Sequence, residues 1–209
     1  MKAPAACVVT LLGLSVVSPV GAQDRMPPIP ADEMTAEQRV VVAKFEAERG
    51  TATLSGPWIP LLRSPEVLSL MLDMRSHVRE RSLLNQKLTE FAILIAAREW
   101  TQQYEWNAHV GAAERAGLEP AIIAAVAAGR RPLGMAEDEE ILYDFCVELL
   151  RNKSVSDATY DRALAAFGEG GVVEAVAIEG YYALLAMVMN TARTPPQENG
   201  APALPSFPR

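Results

Sequence analysis

The segment that most constrains the fold is residues 88–118, LTEFAILIAAREWTQQYEWNAHVGAAERAGL. Its first part, residues 91–97 (FAILIAA), is apolar at every position, which is typical of a helix that is buried on all sides. Residues 183–189 (ALLAMVM) have the same character. Few segments of the chain alternate apolar and polar residues as half-buried strands do. We therefore predict an all-α protein with a central buried helix.

Helix start and stop signals divide the rest of the chain. Thr35 and Gln38 match a capping box, and Ser64 followed by Pro65 matches an N-cap with proline in the first turn. A glycine pair at 170–171 is expected to separate the last two helices. The first predicted helix follows Thr35 and ends near residue 48, and the second begins at residue 65. Further helices are predicted over residues 86–101, 104–116, 120–128, 137–152, 156–167 and 172–192.

The first residues have the features of a secretory signal peptide. Lys2 precedes an apolar run over residues 5–20, which ends in the small-residue sequence Val20-Gly21-Ala22. Cleavage after Ala22 would export the mature chain, so we predict a periplasmic or secreted protein. A retained membrane anchor is the alternative, but the uninterrupted apolar core is too short to span a bilayer comfortably.

The composition predicts four segments. Residues 1–22 are the signal peptide, residues 23–55 are a proline-containing lead-in with a helix, and residues 56–193 are one helical domain. Residues 194–209 contain five prolines. We expect this tail to be disordered or to lie along a neighbouring molecule.

The charge balance argues against two classes of partner. The chain has a net charge of −7, and loss of residues 1–22 leaves 18 basic and 26 acidic side chains. Such a chain without a Lys/Arg cluster is not expected to bind nucleic acid or an anionic membrane surface, and we expect no stable membrane insertion after cleavage. Cys146 is then the one remaining cysteine, so we predict no internal disulfide and a buried structural thiol.

Acid/base residues are concentrated in residues 88–118. Glu105 and His109 are four positions apart, which places both side chains on one face of a helix, where the carboxylate can orient the imidazole as a general base. Glu90 lies in the preceding helix and can reach them if its face matches. The alternatives are an exposed helical ion pair for Glu105 and His109, and for Glu90 a first-turn acid at its helix N-terminus.

Neither a metal nor a cofactor is expected. Metal sites in helical bundles usually take a Glu-x-x-His motif from each of two helices, whereas this chain has one pair at a spacing of four. Trp106 and Tyr104 are predicted to wall a pocket, with plain core packing as the alternative. His77 is expected at the surface, and Glu174 and Glu179 are either pocket residues or ion-pair partners.

Residues 88–118 resemble the carboxymuconolactone decarboxylase family, which belongs to the same superfamily as alkylhydroperoxidase D. The resemblance rests on a Leu-x-Glu helix start, an apolar run, Arg98, the sequence Tyr104-Glu105-Trp106-x-x-His109, and Ala-Gly-Leu at 116–118. Weaker similarity extends it to about residues 56–193. It implies an alkylhydroperoxidase D-like helical bundle that assembles into homotrimers or homohexamers, with active sites near the subunit interfaces.

The chain departs from the peroxidase branch of that superfamily. There the motif is Cys-x-x-Cys with a histidine four residues after the second cysteine, and a glutamate in the preceding helix. Alignment on His109 places Gln102 and Glu105 at the two cysteines and Glu90 at the glutamate. Dithiol peroxide reduction needs both thiols, so the resemblance is closer to the decarboxylase branch.

These observations give one favoured function and two alternatives. The favoured one is a cofactor-independent acid/base lyase or decarboxylase that acts on a small carboxylated lactone or keto compound. An alkylhydroperoxidase D-like peroxidase or antioxidant and a non-catalytic oligomeric binding protein are the alternatives. His109 is expected to be the general acid/base, Glu105 to orient it, and Glu90 to be a second proton-transfer or hydrogen-bonding group. The residues predicted to contact substrate are Trp106, Tyr104 and Arg98.

Overall fold

A computed structural model describes residues 23–197 and 203–205, and this part of the chain contains eight helices and no strands. The predicted signal peptide lies outside the described residues. The helices are α1 (Ala36–Arg49), α2 (Trp58–Leu61), α3 (Pro65–Glu80), α4 (Gln86–Glu99), α5 (Gln103–Arg115), α6 (Pro120–Ala127), α7 (Glu137–Asn152) and α8 (Asp157–Ala192). The all-α prediction is confirmed.

Helix α4 is the centre of the fold, as its apolar run predicts. Its side chains from Phe91 to Ala97 are buried, and it packs against α5, α7 and α8. Asn85 caps its N-terminus, since the Asn85 Oδ1 atom accepts a hydrogen bond from the Leu88 amide at 2.9 Å. Because residues on every side of α4 are covered by other helices, polar side chains at its start must find partners inside the protein.

Helix α8 is divided at Gly168 rather than at the predicted glycine pair. Gly168 has φ of 68° and ψ of 172°, a conformation outside the helical region that glycine adopts readily. Gly170 and Gly171 are helical, and their role is close packing. A Cβ at Gly170 would lie 2.7 Å from Leu83 Cδ1, and one at Gly171 would lie 2.6 Å from Phe167 Cβ.

The second half of α8 belongs to the core of the fold. Among the described helices α8 is the one that is long and apolar enough to cross a membrane by length and composition. More than half of its most apolar window is buried, where it packs against α3, α4 and α7. A buried core helix can have the same composition as a membrane span, so this property alone is not evidence of membrane contact.

The short helix α2 and the turn before it were missed from the sequence, because four residues carry too little periodicity to be recognised. This segment helps to build the functional site. Gly56 has φ of 56°, and a Cβ there would lie 2.3 Å from Cε1 of Tyr104. The chain therefore passes in close contact with the Tyr104 ring just before α2.

The described part of the proline-rich tail lies on its own chain. The Leu204 amide donates a hydrogen bond to Gln103 Oε1 at 2.6 Å, and Arg98 Nη1 donates to the Pro205 carbonyl at 2.7 Å. Leu204 is buried. For these residues the expectation of disorder was wrong, because the polar side chains of α4 and α5 satisfy the tail backbone. Contact of the tail with a neighbouring molecule stays a prediction.

Candidate functional site

A tight turn brings α5 back against α4. Thr101 has φ of 47°, and Gln102 caps α5 through a 2.7 Å hydrogen bond from the Tyr104 amide to its Oε1 atom. The two helices then pack along their length. This arrangement brings Glu90, at the start of α4, to His109, in the second half of α5.

The three predicted catalytic residues lie together. His109 Nδ1 is 2.7 Å from Glu90 Oε2, and His109 Nε2 is 3.5 Å from Glu105 Oε2. The side chains of Glu90, Glu105 and His109 are 0%, 5% and 12% exposed. The Glu105–His109 pair is thus a buried cluster and not the exposed helical ion pair that was the alternative.

Glu90 is held as a carboxylate by groups from two helices. Its Oε1 atom accepts from Arg79 Nη1 on α3 at 2.7 Å and from Gln86 Nε2 at 2.8 Å. Burial opposes its charge, but contacts with His109 and Arg79 outweigh burial and lower the pKa of Glu90 below its ordinary value. Arg79 lies in a segment that reads as surface in the sequence. The position of Glu90 at the start of a buried helix was the sequence feature that could have predicted a nearby cation such as Arg79.

The surroundings of His109 favour its protonated form. Burial disfavours the charge, but the hydrogen bonds and charges of Glu105 and Glu90 outweigh burial and raise the pKa of His109. Its Nδ1 atom is also 3.1 Å from Arg79 Nη1. Because an imidazolium Nδ1 carries a proton, it donates to Glu90 and only lies beside the Arg79 donor. The Nε2 proton is left to face Glu105.

Glu105 presents an unused oxygen. Among the described residues its buried Oε1 atom has no hydrogen-bond partner. Glu105 and His109 line a cavity of about 220 Å³, which we call the His109 cavity. Its wall also includes Tyr104, Tyr181 and Tyr182. A buried carboxylate oxygen that lines a cavity and lacks a partner can accept a hydrogen bond or a proton from a bound molecule.

The predicted substrate-contact residues divide. Tyr104 lines the His109 cavity, but Trp106 and Arg98 do not. Trp106 is buried in the core, since it is one position and about 100° of helix rotation from Glu105. Arg98 is eight residues after Glu90, about 12 Å along α4, and binds the tail. The structure does not bring these two residues to this cavity, and their contact with substrate stays a prediction.

Sequence reasoning missed the aromatic side of the site. The Tyr182 ring meets the His109 ring edge-on, with centroids 5.2 Å apart at 86°, and Tyr181 packs edge-on against Tyr182. Both tyrosines lie on the apolar second half of α8. Two hydroxyl-bearing rings among aliphatic residues were the one sequence feature that could have indicated a polar site there. Burial raises the pKa of Tyr181 and of Tyr182, so both remain neutral hydroxyls.

The other singled-out residues lie outside the His109 cavity. His77 is at the surface as predicted, with its side chain 42% exposed, and its Nε2 atom is 2.6 Å from Glu174 Oε1. Glu174 is therefore an ion-pair partner. Cys146 is buried as predicted. Glu179 is buried beside Cys146, where burial raises the pKa of Glu179 to about 8.

Comparison with protein-family models gives one match, to the carboxymuconolactone decarboxylase family over residues 65–140. This segment runs from the start of α3 into α7 and includes Arg79, Glu90, Glu105 and His109. The resemblance expected from the sequence is thereby confirmed. No curated protein is similar enough to the chain to count as a match.

Solved structures show the same fold. One is the alkylhydroperoxidase AhpD core of an uncharacterised peroxidase-related protein from Ralstonia eutropha JMP134, with a TM-score of 0.68 and 14% identity over 83% of this chain and 92% of that one. Another is a protein of unknown function from Agrobacterium tumefaciens, provisionally described as an antioxidant defence protein AhpD. Its TM-score is 0.55, with 17% identity over 66% of this chain and 94% of that one. At these identities the likeness establishes the helical fold.

Proposed function

We propose that the protein is a cofactor-independent acid/base enzyme, and the match of residues 65–140 to the carboxymuconolactone decarboxylase family supports this proposal. The reaction class is a lyase or decarboxylase reaction on a small carboxylated lactone or keto compound. The observation that carries the proposal is the chain of contacts Glu90–His109–Glu105, which ends at the His109 cavity in a Glu105 oxygen with no partner among the described residues.

Each member of this chain has a separate role. Glu90 is fixed by Arg79 and holds His109 Nδ1, which sets the orientation of the ring. His109 then directs its Nε2 proton toward Glu105. Glu105 exchanges a proton with the substrate through its free oxygen, and His109 exchanges one with Glu105. The sequence favoured His109 as the group that meets substrate, whereas the geometry favours Glu105.

This arrangement suits decarboxylation next to a carbonyl group. The C–C bond to the carboxylate breaks, carbon dioxide leaves, and the electron pair moves onto the adjacent carbonyl oxygen to give an enolate. His109 passes its Nε2 proton to the Glu105 carboxylate, Glu105 gives that proton to the carbon of the enolate, and His109 then regains a proton from solvent. Neutral hydroxyls such as those of Tyr181 and Tyr182 can donate hydrogen bonds to oxygen as it gains charge.

A peroxidase is the second candidate, because the relatives of the same fold are described as peroxidase-related or antioxidant proteins. Thiol-based peroxide reduction requires an accessible thiolate and a resolving thiol. Gln102 and Glu105 stand where the branch has those cysteines, and Cys146 is buried with its pKa raised well above the ordinary value. These features favour the acid/base function. A binding protein without catalysis is the third candidate.

We also propose that the protein acts outside the cytoplasm and as a homo-oligomer. The apolar run and small-residue site at residues 5–22 support export, and N-terminal sequencing of the mature protein should begin at Gln23. Trimers or hexamers are supported by an apolar stripe on the outer face of α8, which we call the α8 stripe. It consists of Val173, Val176 and Met187, all exposed.

The experiment for the proposed function is a substrate screen with purified protein. Small carboxylated lactones and β-keto acids are incubated with the enzyme, and carbon dioxide release is measured against boiled enzyme. Hydrogen peroxide with a dithiol reductant is assayed in parallel. Carbon dioxide release without peroxide consumption supports the acid/base enzyme, and the reverse result supports the peroxidase.

A further inference from the structure

The wall of the His109 cavity carries several positive charges. Arg49, at the C-terminal end of α1, and Arg75 and Arg79, on α3, all line it. The chain as a whole has a net charge of −7, so three guanidinium groups around one small cavity are a local reversal of the protein's charge. Such a concentration of cations attracts an anionic ligand.

Two of these three cations are not neutralised by buried carboxylates. Arg79 is engaged with Glu90 at 2.7 Å. Arg75 lies 3.6 Å from Glu80, whose side chain is 62% exposed, so solvent weakens that pair. Arg49 forms no ion pair with any carboxylate of residues 23–197 and 203–205. Burial and the nearby charges of Arg75 and Arg79 lower the pKa of Arg49.

A further polar group at the His109 cavity, the Tyr181 hydroxyl, lacks a partner. The Tyr181 hydroxyl is buried, and within the described residues it has no hydrogen-bond partner. Tyr181 as a residue is only 4% exposed, and it lines the His109 cavity together with Arg49 and Arg75. An unpaired buried hydroxyl costs free energy unless a ligand or water satisfies it. Since this hydroxyl stays protonated, it is available as a donor to a ligand oxygen.

The wall of the same cavity also carries the Glu105 carboxylate. A ligand anion is repelled by this carboxylate and attracted by the guanidinium groups, so the cavity has a polarity that can orient a small molecule. The volume of about 220 Å³ is below that of pockets for drug-sized ligands, which start near 300 Å³. The cavity therefore suits one small ring or a short chain.

We propose that Arg49, Arg75 and Tyr181 form a subsite that binds a carboxylate of a small acid and places the reacting carbon of that acid toward Glu105. The bound carboxylate is separate from the group that reacts. The role of the subsite in turnover rests on the proposed function. Binding of a carboxylate at the subsite does not, because binding does not require the reaction. Arg49 and Tyr181 lie outside the matched residues 65–140, and Arg75 lies inside them.

Binding of benzoate and of its neutral isostere benzamide tests the subsite. Both are measured by isothermal titration calorimetry with the intact protein as purified. Wild type should bind benzoate at millimolar or lower concentration and benzamide about tenfold more weakly. Arg49→Gln and Arg75→Gln should each weaken benzoate by about tenfold and leave benzamide unchanged. Arg49→Lys should recover part of the loss, since it restores the charge without the planar fork.

Arg131→Gln is the matched control. Arg131 pairs with Glu140 and Asp144 at the surface and does not line the His109 cavity, so its loss should leave both affinities at the wild-type value. Tyr181→Phe should weaken benzoate several-fold by removing one donor. Circular dichroism on every variant identifies any that fails to fold. If Arg49→Gln fails to fold, the benzoate affinity of Arg49→Lys, which should lie below that of wild type, tests the subsite instead.

Three results would overturn the subsite. They are equal benzoate affinity in wild type and both glutamine variants, equal affinity of wild type for benzoate and benzamide, and no saturable benzoate binding at millimolar concentration. The proposed function fails separately. If Glu105→Gln and wild type both bind benzoate but no compound is turned over, the subsite stands without the enzyme. If turnover is found and the arginine variants retain wild-type KM, the enzyme stands without the subsite.

Discussion

Glu90 Oε2 and His109 Nδ1 are 2.7 Å apart, although 19 residues separate the two side chains in sequence. The contact joins the start of α4 to the second half of α5, and neither side chain is open to solvent. Glu90 also accepts from Arg79 on α3. One buried carboxylate therefore ties together three helices and fixes the histidine of the candidate site.

Loss of the Glu90 charge should destabilise the fold. Glu90→Ala leaves the Arg79 guanidinium and the His109 imidazolium without their buried partner, and breaking a buried pair in this way costs about 3–5 kcal/mol. Glu90→Gln should cost less, because the amide oxygen still accepts a hydrogen bond. Urea unfolding measures both. Glu114→Gln, at an exposed position of the same α5 region, is the control and should be neutral, and an equally small effect for Glu90→Ala would contradict the network.

Glu179 should make the fold less stable as the pH rises. Its pKa is raised from 4.5 to about 8 by burial, so the folded state binds the proton more tightly than the unfolded state. The stabilisation is fully present below pH 4.5 and is lost as the pH rises to about 8, with a limiting slope of about 1.4 kcal/mol per pH unit.

Glu179→Gln removes this titration and should flatten the profile. The free energy of unfolding is measured by urea at several pH values for both proteins. His109 also has a raised pKa and contributes a slope of the same sign at higher pH, but it is present in both proteins, so their difference isolates Glu179. Identical pH profiles for wild type and Glu179→Gln would mean that Glu179 ionises normally.

The α8 stripe predicts self-association. Static light scattering at micromolar concentration should give the mass of a trimer or a multiple of three chains. Val176→Glu places a charge in the stripe, where Val176 is 44% exposed, and should lower the mass. Leu133→Glu is the control, because Leu133 is 88% exposed outside the stripe. A monomeric wild type, or equal effects of the two variants, would refute this interface.

Peroxide reduction by a dithiol mechanism should be absent. Cys146 is buried and is the single cysteine among the described residues. Purified protein should therefore consume no hydrogen peroxide with dithiothreitol as reductant. Cys146→Ser should behave as wild type in this assay. Robust peroxide turnover in both proteins would show that the chain uses a peroxidase chemistry without thiols, and turnover lost only in Cys146→Ser would show that the thiol is accessible.

Local patterns were enough to predict the elements of this fold. The apolar run at 91–97 predicted the buried helix α4, the capping box at Thr35 is present, and the spacing of Glu105 and His109 placed them on one face. These features depend on residues within one or two helical turns of each other. Sequence pattern therefore captures them without knowledge of the tertiary fold.

The parts that escaped prediction depend on which helices meet. Arg49 on α1, Arg79 on α3 and Tyr182 on α8 reach one cavity only after the chain has packed, and none lies within the 88–118 segment. Arg98 was assigned to the site because it lies in the resembling segment, but its position along α4 directs it to the tail. The break was predicted at Gly170 and Gly171 and lies at Gly168, because the sequence pattern alone does not distinguish which of three nearby glycines leaves the helical conformation.

The most direct measurement of the central claim is carbon dioxide release by wild type and Glu105→Gln on the best compound from the substrate screen. Glu105→Gln keeps the shape of the side chain but cannot transfer a proton, so kcat should fall by at least about 100-fold, the usual contribution of acid/base catalysis. Thermal unfolding should show that the variant is folded, and Glu114→Gln should keep wild-type kcat. A Glu105→Gln variant with wild-type kcat would contradict the account, as would a wild type that releases no carbon dioxide from any compound.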